Sequence, residues 1–368
     1  MEDEVDRTCG SSKITLDRRQ DLLACSKEEL IDHISVLQSQ ITALKGYQAT
    51  AADGNCRLKP IKTKKKPRPF DFTKYNTRHV ALKIAYLGWD YQGFASQDNE
   101  KNNTIEAMLF DAFQKTRLIE NRQSSCYSRC GRTDKGVSAF SQVISIDLRT
   151  NLLDGTDAFS FPLIICLGDK STEIRYVHIL NKVLPDEIRV LAWTPVDPDF
   201  DARFSARSRT YKYFFPKGDL NIELMQIAAQ KLVGEHDYRN FCKMDVANGV
   251  VNFVRKILRI DIVSLDDGEN GFQMHEITIK GQAFLYHQVR CIMAILFLIG
   301  QCKEKSTVID ELLDITENPC KPQYPMASEL PLVLYDCQYE NINWIYEQED
   351  QELNIEHLQK RWTSQIIK

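Results

Sequence analysis

From residue 79 onward, hydrophobic and polar residues alternate in blocks that predict short strands separated by helices. Val80, Leu82, Ile84 and Tyr86 interleave with Ala81, Lys83 and Ala85, the two-residue period of a half-buried strand. Asn103 or Thr104 then caps a helix whose apolar face is Ile105, Met108, Leu109, Ala112 and Phe113. Over 141–148 the alternation returns, with Val143, Ser145 and Asp147 set against Ile144, Ile146 and Leu148. A helical run over 176–183 stops before Leu184-Pro185-Asp186, and 188–193 reads as another strand. The order β-α-β-α-β with short connections predicts an α/β or α+β sandwich of ferredoxin-like type.

A proline- and acid-rich joint over 195–201 leads into a second unit with the same mixed pattern. Its pattern predicts a helix over 222–233 stopped by Gly234, and a loop over 235–243. Leu258, Ile260 and Ile262 fall on one face of a strand, and Asp266-Asp267-Gly268 opens the turn to a strand over 272–280. The uncharged run 291–300 is about half of the roughly 20 residues a membrane span requires, so it predicts a buried helix. A strand at 331–335 and a charged tail close the chain.

Ahead of these blocks, residues 1–25 read as disordered. Ser26 with Glu29 forms a capping box for a helix whose seam, Leu30, Ile34, Leu37, Ile41 and Leu44, follows a heptad. Residues 57–68 carry seven cations among prolines, a linker with a nuclear-import or phosphate-binding character. Across 368 residues the formal net charge is −4, so a nucleic-acid surface would have to be a local patch. The acidic start carries no apolar leader, which argues against a signal peptide or mitochondrial presequence. Eleven cysteines include no C-x-x-C pair; they read as mostly buried, reduced thiols of an intracellular protein. No P-loop, Rossmann fingerprint or zinc spacing is present, so neither cofactor nor metal is expected.

Candidate chemistry concentrates in three stretches. In Ser128-Arg129-Cys130-Gly131-Arg132-Thr133-Asp134-Lys135-Gly136-Val137, two glycines bracket Arg132 and Asp134 ahead of a strand. That is a loop of the kind on which scaffolds display reactive groups, and equally a surface turn with a local ion pair. Over 203–213, Arg203, Arg207, Arg209 and Lys212 interleave with Phe204, Tyr211 and Tyr213, which suits a groove that grips phosphates and stacks a base. Phe284, His287 and Arg290 head the apolar helix, where a cation requires a carboxylate or phosphate partner.

The Gly131–Val137 stretch resembles the catalytic motif of the TruA-type tRNA pseudouridine synthases. Residues 86–94, the 209–213 strand and 284–290 match the same family in the same order, so the resemblance covers roughly residues 79–337. Residues 235–245, 286–291 and 322–331 are most similar to the eukaryotic branch that acts at positions 38 and 39 of the tRNA anticodon arm. Ser138 and Gln288 stand where the bacterial pattern has His and Met.

The resemblance implies an α+β fold of two ferredoxin-like halves forming one extended mixed sheet with a central basic cleft. The implied boundaries are an N-terminal extension over 1–75, halves over 76–196 and 197–340, and a tail over 341–368. It implies Asp134 as the catalytic aspartate, Arg132 as its motif arginine, Tyr211 as the active-site tyrosine and Arg290 as the arginine pairing with the aspartate, lowering its pKa. Arg203, Arg207, Arg209, Lys212, Phe284 and His287 join Tyr211 as expected substrate contacts. The expected partners are tRNA and a second copy of the chain, with no membrane, in nucleus and cytoplasm. Two other readings stand beside this one: a tRNA-binding protein on the same fold without chemistry, and an unrelated hydrolytic enzyme in which Asp134 activates water.

Overall fold

A computed structural model of the protein describes residues 70–96, 103–152, 172–243, 251–266 and 272–367, with 34 and 36–38 of the N-terminal segment. The chain divides into two compact units, 1–69 and 70–368. In the first, residues 34 and 36–38 are helical and exposed, within the heptad stretch; the expected disorder over 1–25 and the basic linker lie outside the described residues.

The second unit holds one nine-stranded sheet. Its first half runs β1 (Asn76–Tyr86), α1 (Ile105–Lys115), β2 (Ser128–Arg129), β3 (Ser138–Thr150), α2 (Tyr176–Asn181) and β4 (Ile188–Pro195). The second runs β5 (Ser208–Pro216), α3 (Ile222–Gln230), β6 (Gly234–Asp237), β7 (Val254–Ser264), β8 (Met274–Gly281), α4 (Gln288–Gly300), α5 (Val308–Leu313) and β9 (Leu332–Gln338). In the sheet order β4-β1-β3-β9-β5-β8-β7-β6, with the stub β2 beside β3, the first half is a β-α-β-β-α-β unit whose fourth, first, third and second strands lie side by side; the second half repeats that order as β9-β5-β8-β7 and adds the strand β6 beyond β7 and the helix α5 before β9.

The halves differ in one respect that builds the site. β2 pairs with β3 only at Ser128↔Ser145 and Arg129↔Ile144. The start of β3 thus keeps a free edge, and β9 takes it, pairing in parallel at Ser138↔Val333 and Ala139↔Leu334. The other strand pairs are antiparallel. Because β3 and β9 run the same way, the loops that enter them arrive at the same end of the sheet, Asp134 on one and Glu329 on the other.

Two cores lie under the sheet. Leu109 and Phe113 of α1 and Val177 and Leu180 of α2 pack with Val80, Leu82, Ile84, Ile144 and Ile146. Met225 and Ala228 of α3 and Ile292, Met293 and Leu296 of α4 pack with Tyr213, Phe215, Ile277 and Ile279. Tyr211 touches both cores, and β9 gives Leu334 to the first and Leu332 to the second, so the seam is continuous. Thr104 caps α1 by accepting from the Ala107 amide, as one of the two expected residues, a contact worth about 1 kcal/mol.

Some expectations change. The 235–243 loop contains the short strand β6, paired to β7. On β7, Leu258 faces solvent while Ile257 and Ile260 are buried, because a bulge between Ile257 and Arg259 breaks the alternation. The charged tail is a helix, α6 (Gln348–Ile367), tied to the first half by Arg175 with Asp350, His178 with Asp350 and Arg361 with Glu187. Of the seven described cysteines, Cys130, Cys242, Cys291 and Cys337 are buried while Cys126, Cys302 and Cys320 are exposed. Among the described residues no helix is long and apolar enough to cross a membrane.

Candidate active site

A cleft of about 1140 Å³ opens over the seam, lined by the 128–134 loop, 201–211 and 283–290. The loop carrying Asp134 is held from several sides. Tyr86 Oη and Thr133 Oγ1 are 2.7 Å apart in a buried hydrogen bond, and the Phe94 amide donates to the Thr133 carbonyl. Gln142 Nε2 donates to the Gly131 carbonyl, and Val137 N donates back to the Asp134 carbonyl to close the turn. Gly136 sits at φ +80°, a left-handed conformation that only glycine adopts without strain.

Gly88 lies against the same loop, its amide donating to Ser138 Oγ. The Ser at 138 is thus a buried acceptor that fastens the 86–88 turn. A Cβ on Gly88 would lie 2.0 Å from the Val137 carbonyl oxygen. Gly88→Ala is expected to displace the Asp134 loop and cost about 1–3 kcal/mol, read as a lowered thermal unfolding midpoint together with reduced turnover.

Asp134 is mostly buried, its side chain 19% exposed. Burial pushes its carboxyl up to about 6; the positive field of Arg290 opposes this and the negative charge of Glu329 adds to it. Arg290 thus lowers the carboxyl as expected but is outweighed by burial, and the expected ion pair between the two is not formed. Arg290 instead donates from Nε to the Ala327 carbonyl and from Nη2 to Glu329 Oε2, each at 2.8 Å. The ring beside Asp134 belongs to His287, whose Nε2 lies 3.3 Å from Asp134 Oδ2. His287 occupies a left-handed conformation at φ +61° just before α4, stacks on Tyr286, and leaves Nδ1 buried with no hydrogen-bond partner among the described residues. Burial, and after it the fields of Arg290, Lys243 and Lys321, hold it down to about 4, so the ring is neutral at pH 7.

Tyr211 stands on β5 beside a bulge and meets Phe284 edge-on, with ring centroids 5.0 Å apart. Burial pushes its hydroxyl well up, so it stays protonated. Arg132 is exposed at the cleft and makes no ion pair among the described residues. Arg203 lies over the ring of Phe204, which is 78% exposed and lines the cleft. Arg209 also lines the cleft, but its guanidinium donates to the carbonyls of Gln282, Cys130 and Arg203, so it joins three loops.

Arg207 and Lys212 lie outside this cleft. Alternation along β5 turns Lys212 to the other face, where it pairs with Glu276 and lies over Tyr335. Arg207 is exposed, pairs with Glu340, and lines a smaller hollow of about 470 Å³ with Lys83 and Trp344. In their place the cleft gains Arg122, Arg129 and Arg255. Arg122 and Arg129 both pair with Glu106, a carboxylate of α1 with no exposed surface. Nothing in the sequence pattern marked Arg122 or Arg255; Arg129 stood at the edge of the motif. Glu329 was also missed, since only the parallel β3–β9 pairing brings it here.

A family model described as tRNA pseudouridine synthase matches residues 228–340. Over 348 residues the chain is 58% identical to the tRNA pseudouridine(38/39) synthase of Bos taurus, an alignment covering 93% of this chain and 72% of that protein. The enzyme of the same description from Homo sapiens is 56% identical, with the same coverage. That of Saccharomyces cerevisiae is 46% identical over 287 residues, covering 77% of this chain and 62% of that protein. The chain belongs to the TruA-type family of tRNA pseudouridine synthases.

Proposed function

We infer that this protein is an isomerase that converts uridine to pseudouridine at positions 38 and 39 of the tRNA anticodon arm, with Asp134 as the catalytic carboxylate. The observation that carries the role of Asp134 is its place: a largely buried carboxyl on a glycine-bracketed loop at the floor of a cleft rimmed by arginines. The reaction breaks the N1–C1′ bond, turns the uracil, forms C5–C1′, returns a proton to N1 and releases the C5 proton. An ionised Asp134 begins it, either by attacking C1′ or by taking the C2′ proton. The target base must leave its stack, at a cost of a few kcal/mol; Tyr211 and Phe284 offer a wall for it, and a stacked ring contributes about 1–3 kcal/mol.

Release of tritium from tRNA carrying 5-tritiated uridine tests this, with wild type and Asp134→Ala side by side. Release by wild type alone supports enzyme and carboxylate together. Equal release from both removes Asp134 from the chemistry, and tRNA binding with no release from either restores the reading of a binding protein.

The cleft cations are proposed to hold the RNA backbone. Arg203→Ala is expected to weaken tRNA binding and reduce the slope of log affinity against log salt by roughly 1, whereas Arg207→Ala and Lys212→Ala leave both within about twofold. Filter binding across a salt series separates them. A homodimer and residence in both nucleus and cytoplasm are further parts of this proposal, supported by the family resemblance and by the basic stretch over 57–68. Light scattering and localisation of a tagged chain lacking 57–68 check them.

A further inference from the structure

The arginines that line the cleft differ in what answers their charge. Arg122 and Arg129 share the buried carboxylate of Glu106, and Arg290 has Glu329. Arg209 donates to three carbonyls, while Arg132 and Arg203 stand exposed to water. Arg255 on β7 lines the same cleft, is partly buried, and makes no ion pair among the described residues. Burial disfavours its charged form, and no carboxylate offsets that cost.

The Arg255 guanidinium is engaged on one side. Nη1 donates to the carbonyls of Asn252 and Val254, at 3.0 and 2.7 Å, which fixes the group on its own strand. Nε is buried with no hydrogen-bond partner among the described residues. Nε and Nη2 together form the edge with which an arginine grips two oxygens of one anion in parallel. The unused edge is therefore the one suited to a phosphate. The strand behind it is packed against the wall offered to the everted base. Lys256, the next residue, accepts the Gln282 amide at 3.1 Å, and a Cβ on Gly281 would lie 3.2 Å from the Lys256 carbonyl oxygen and 2.9 Å from Phe284 Cζ. A nucleotide is bonded to a phosphate on each side, so a base held against Phe284 and Tyr211 carries phosphates into the part of the cleft that Arg255 lines.

We propose that Arg255 binds a phosphodiester flanking the target uridine, side-on through Nε and Nη2, so that a cation left without a counter-charge in the free protein is completed when RNA binds. The proposal rests on the reading of this cleft as the tRNA site. An exposed arginine such as Arg203 gives a contact that water and salt screen. Arg255 gives a fixed fork in a partly dry place, where the same contact is stronger and selects the position of the phosphate. The charge that weakens the free fold then strengthens the complex.

The test uses the full chain and synthetic anticodon arms that carry one neutral methylphosphonate at each backbone position in turn. With wild type, the replacement at one phosphate beside uridine 38 or 39 is expected to weaken binding about tenfold. Arg255→Met is expected to bind the unmodified arm about tenfold more weakly and to lose roughly 1 from the slope of log affinity against log salt. That same methylphosphonate then changes the binding of Arg255→Met by no more than about twofold, because its partner is gone. Replacements elsewhere weaken both proteins alike. Without RNA, the thermal midpoint of Arg255→Met is expected at or above that of wild type, since a desolvated cation has been removed. Arg255→Lys keeps the charge without the fork; it is expected to restore the salt slope and only part of the affinity. Penalties that add at every phosphate overturn the proposal, as does a midpoint that falls in Arg255→Met, which would make the cation structural. A wild-type chain that fails to bind the unmodified arm would instead overturn the functional reading on which the proposal rests.

Discussion

Asp134→Asn is expected to bind tRNA with near wild-type affinity and to lose roughly 10³-fold or more in the rate of pseudouridine formation. The substitution is isosteric, so the turn closed by the Val137 amide on the Asp134 carbonyl, and the Thr133 contacts to Tyr86 and Phe94, remain available. What disappears is the carboxylate at the cleft floor that can attack C1′ or take a C2′ proton. The arginines along the rim and the wall of Tyr211 and Phe284 are untouched, so binding and chemistry separate. Single-turnover assays at saturating enzyme, paired with equilibrium binding, read the two quantities independently.

The same variant is expected to be more stable than wild type at neutral pH. The folded pKa of Asp134, about 6, lies above its ordinary value of 3.8. An acid raised in this way contributes stability that is fully present below the unfolded pKa and lost as pH climbs through the folded one. At pH 7.5 the ionised side chain therefore destabilises the fold, by something on the order of 2 kcal/mol for a group this buried. Asparagine carries no such charge. Its thermal midpoint should exceed that of wild type at pH 7.5, with the gap narrowing as pH falls through about 6 and closed near 3.8 as wild-type Asp134 protonates. A site that holds a reactive carboxylate at the cost of stability is a familiar trade-off.

The legible parts of the fold were those carried by local periodicity. Alternation placed β1, β3 and β4, and the uncharged run after Arg290 became α4 with most of its residues buried. The glycine-bracketed loop was legible because its residue types are unusual together. The unread features are relations between distant segments. The stub β2 carries no signal of its own, yet its shortness frees the edge that β9 occupies. The direction of the cations on 203–213 follows from strand phase, which a list of cations and aromatics leaves undetermined, so Lys212 was grouped with residues on the opposite face. The expected pairing of Arg290 with Asp134 failed because a third group competes. Glu329 lies 39 residues from Arg290 in sequence and reaches it only through the β3–β9 junction.

That competition makes Arg290 the residue whose loss should be felt most widely. Arg290→Met keeps the length and apolar stem of the side chain but removes the cation between Asp134 and Glu329. Two negative charges are then left near each other at the seam without compensation; Glu329 is 35% exposed, so water screens part of this and the cost is expected to be about 1–3 kcal/mol, below that of a fully buried pair. The thermal midpoint is expected to fall by several degrees at pH 7.5 and to recover in part at lower pH, where the carboxyls protonate. Losing a positive field raises the pKa of Asp134 further, so the acid limb moves from near 6 toward 7 or above, and the rate at neutral pH falls on the order of 10²-fold. Raising the pH to 9 should recover only the part of that loss due to protonation; the rest reflects a carboxylate no longer supported as charge moves onto the ribose. A rate profile with an unmoved limb would mean that Arg290 acts on the RNA alone. A limb that moves up in Arg290→Met would show that the guanidinium acts on the Asp134 carboxylate itself.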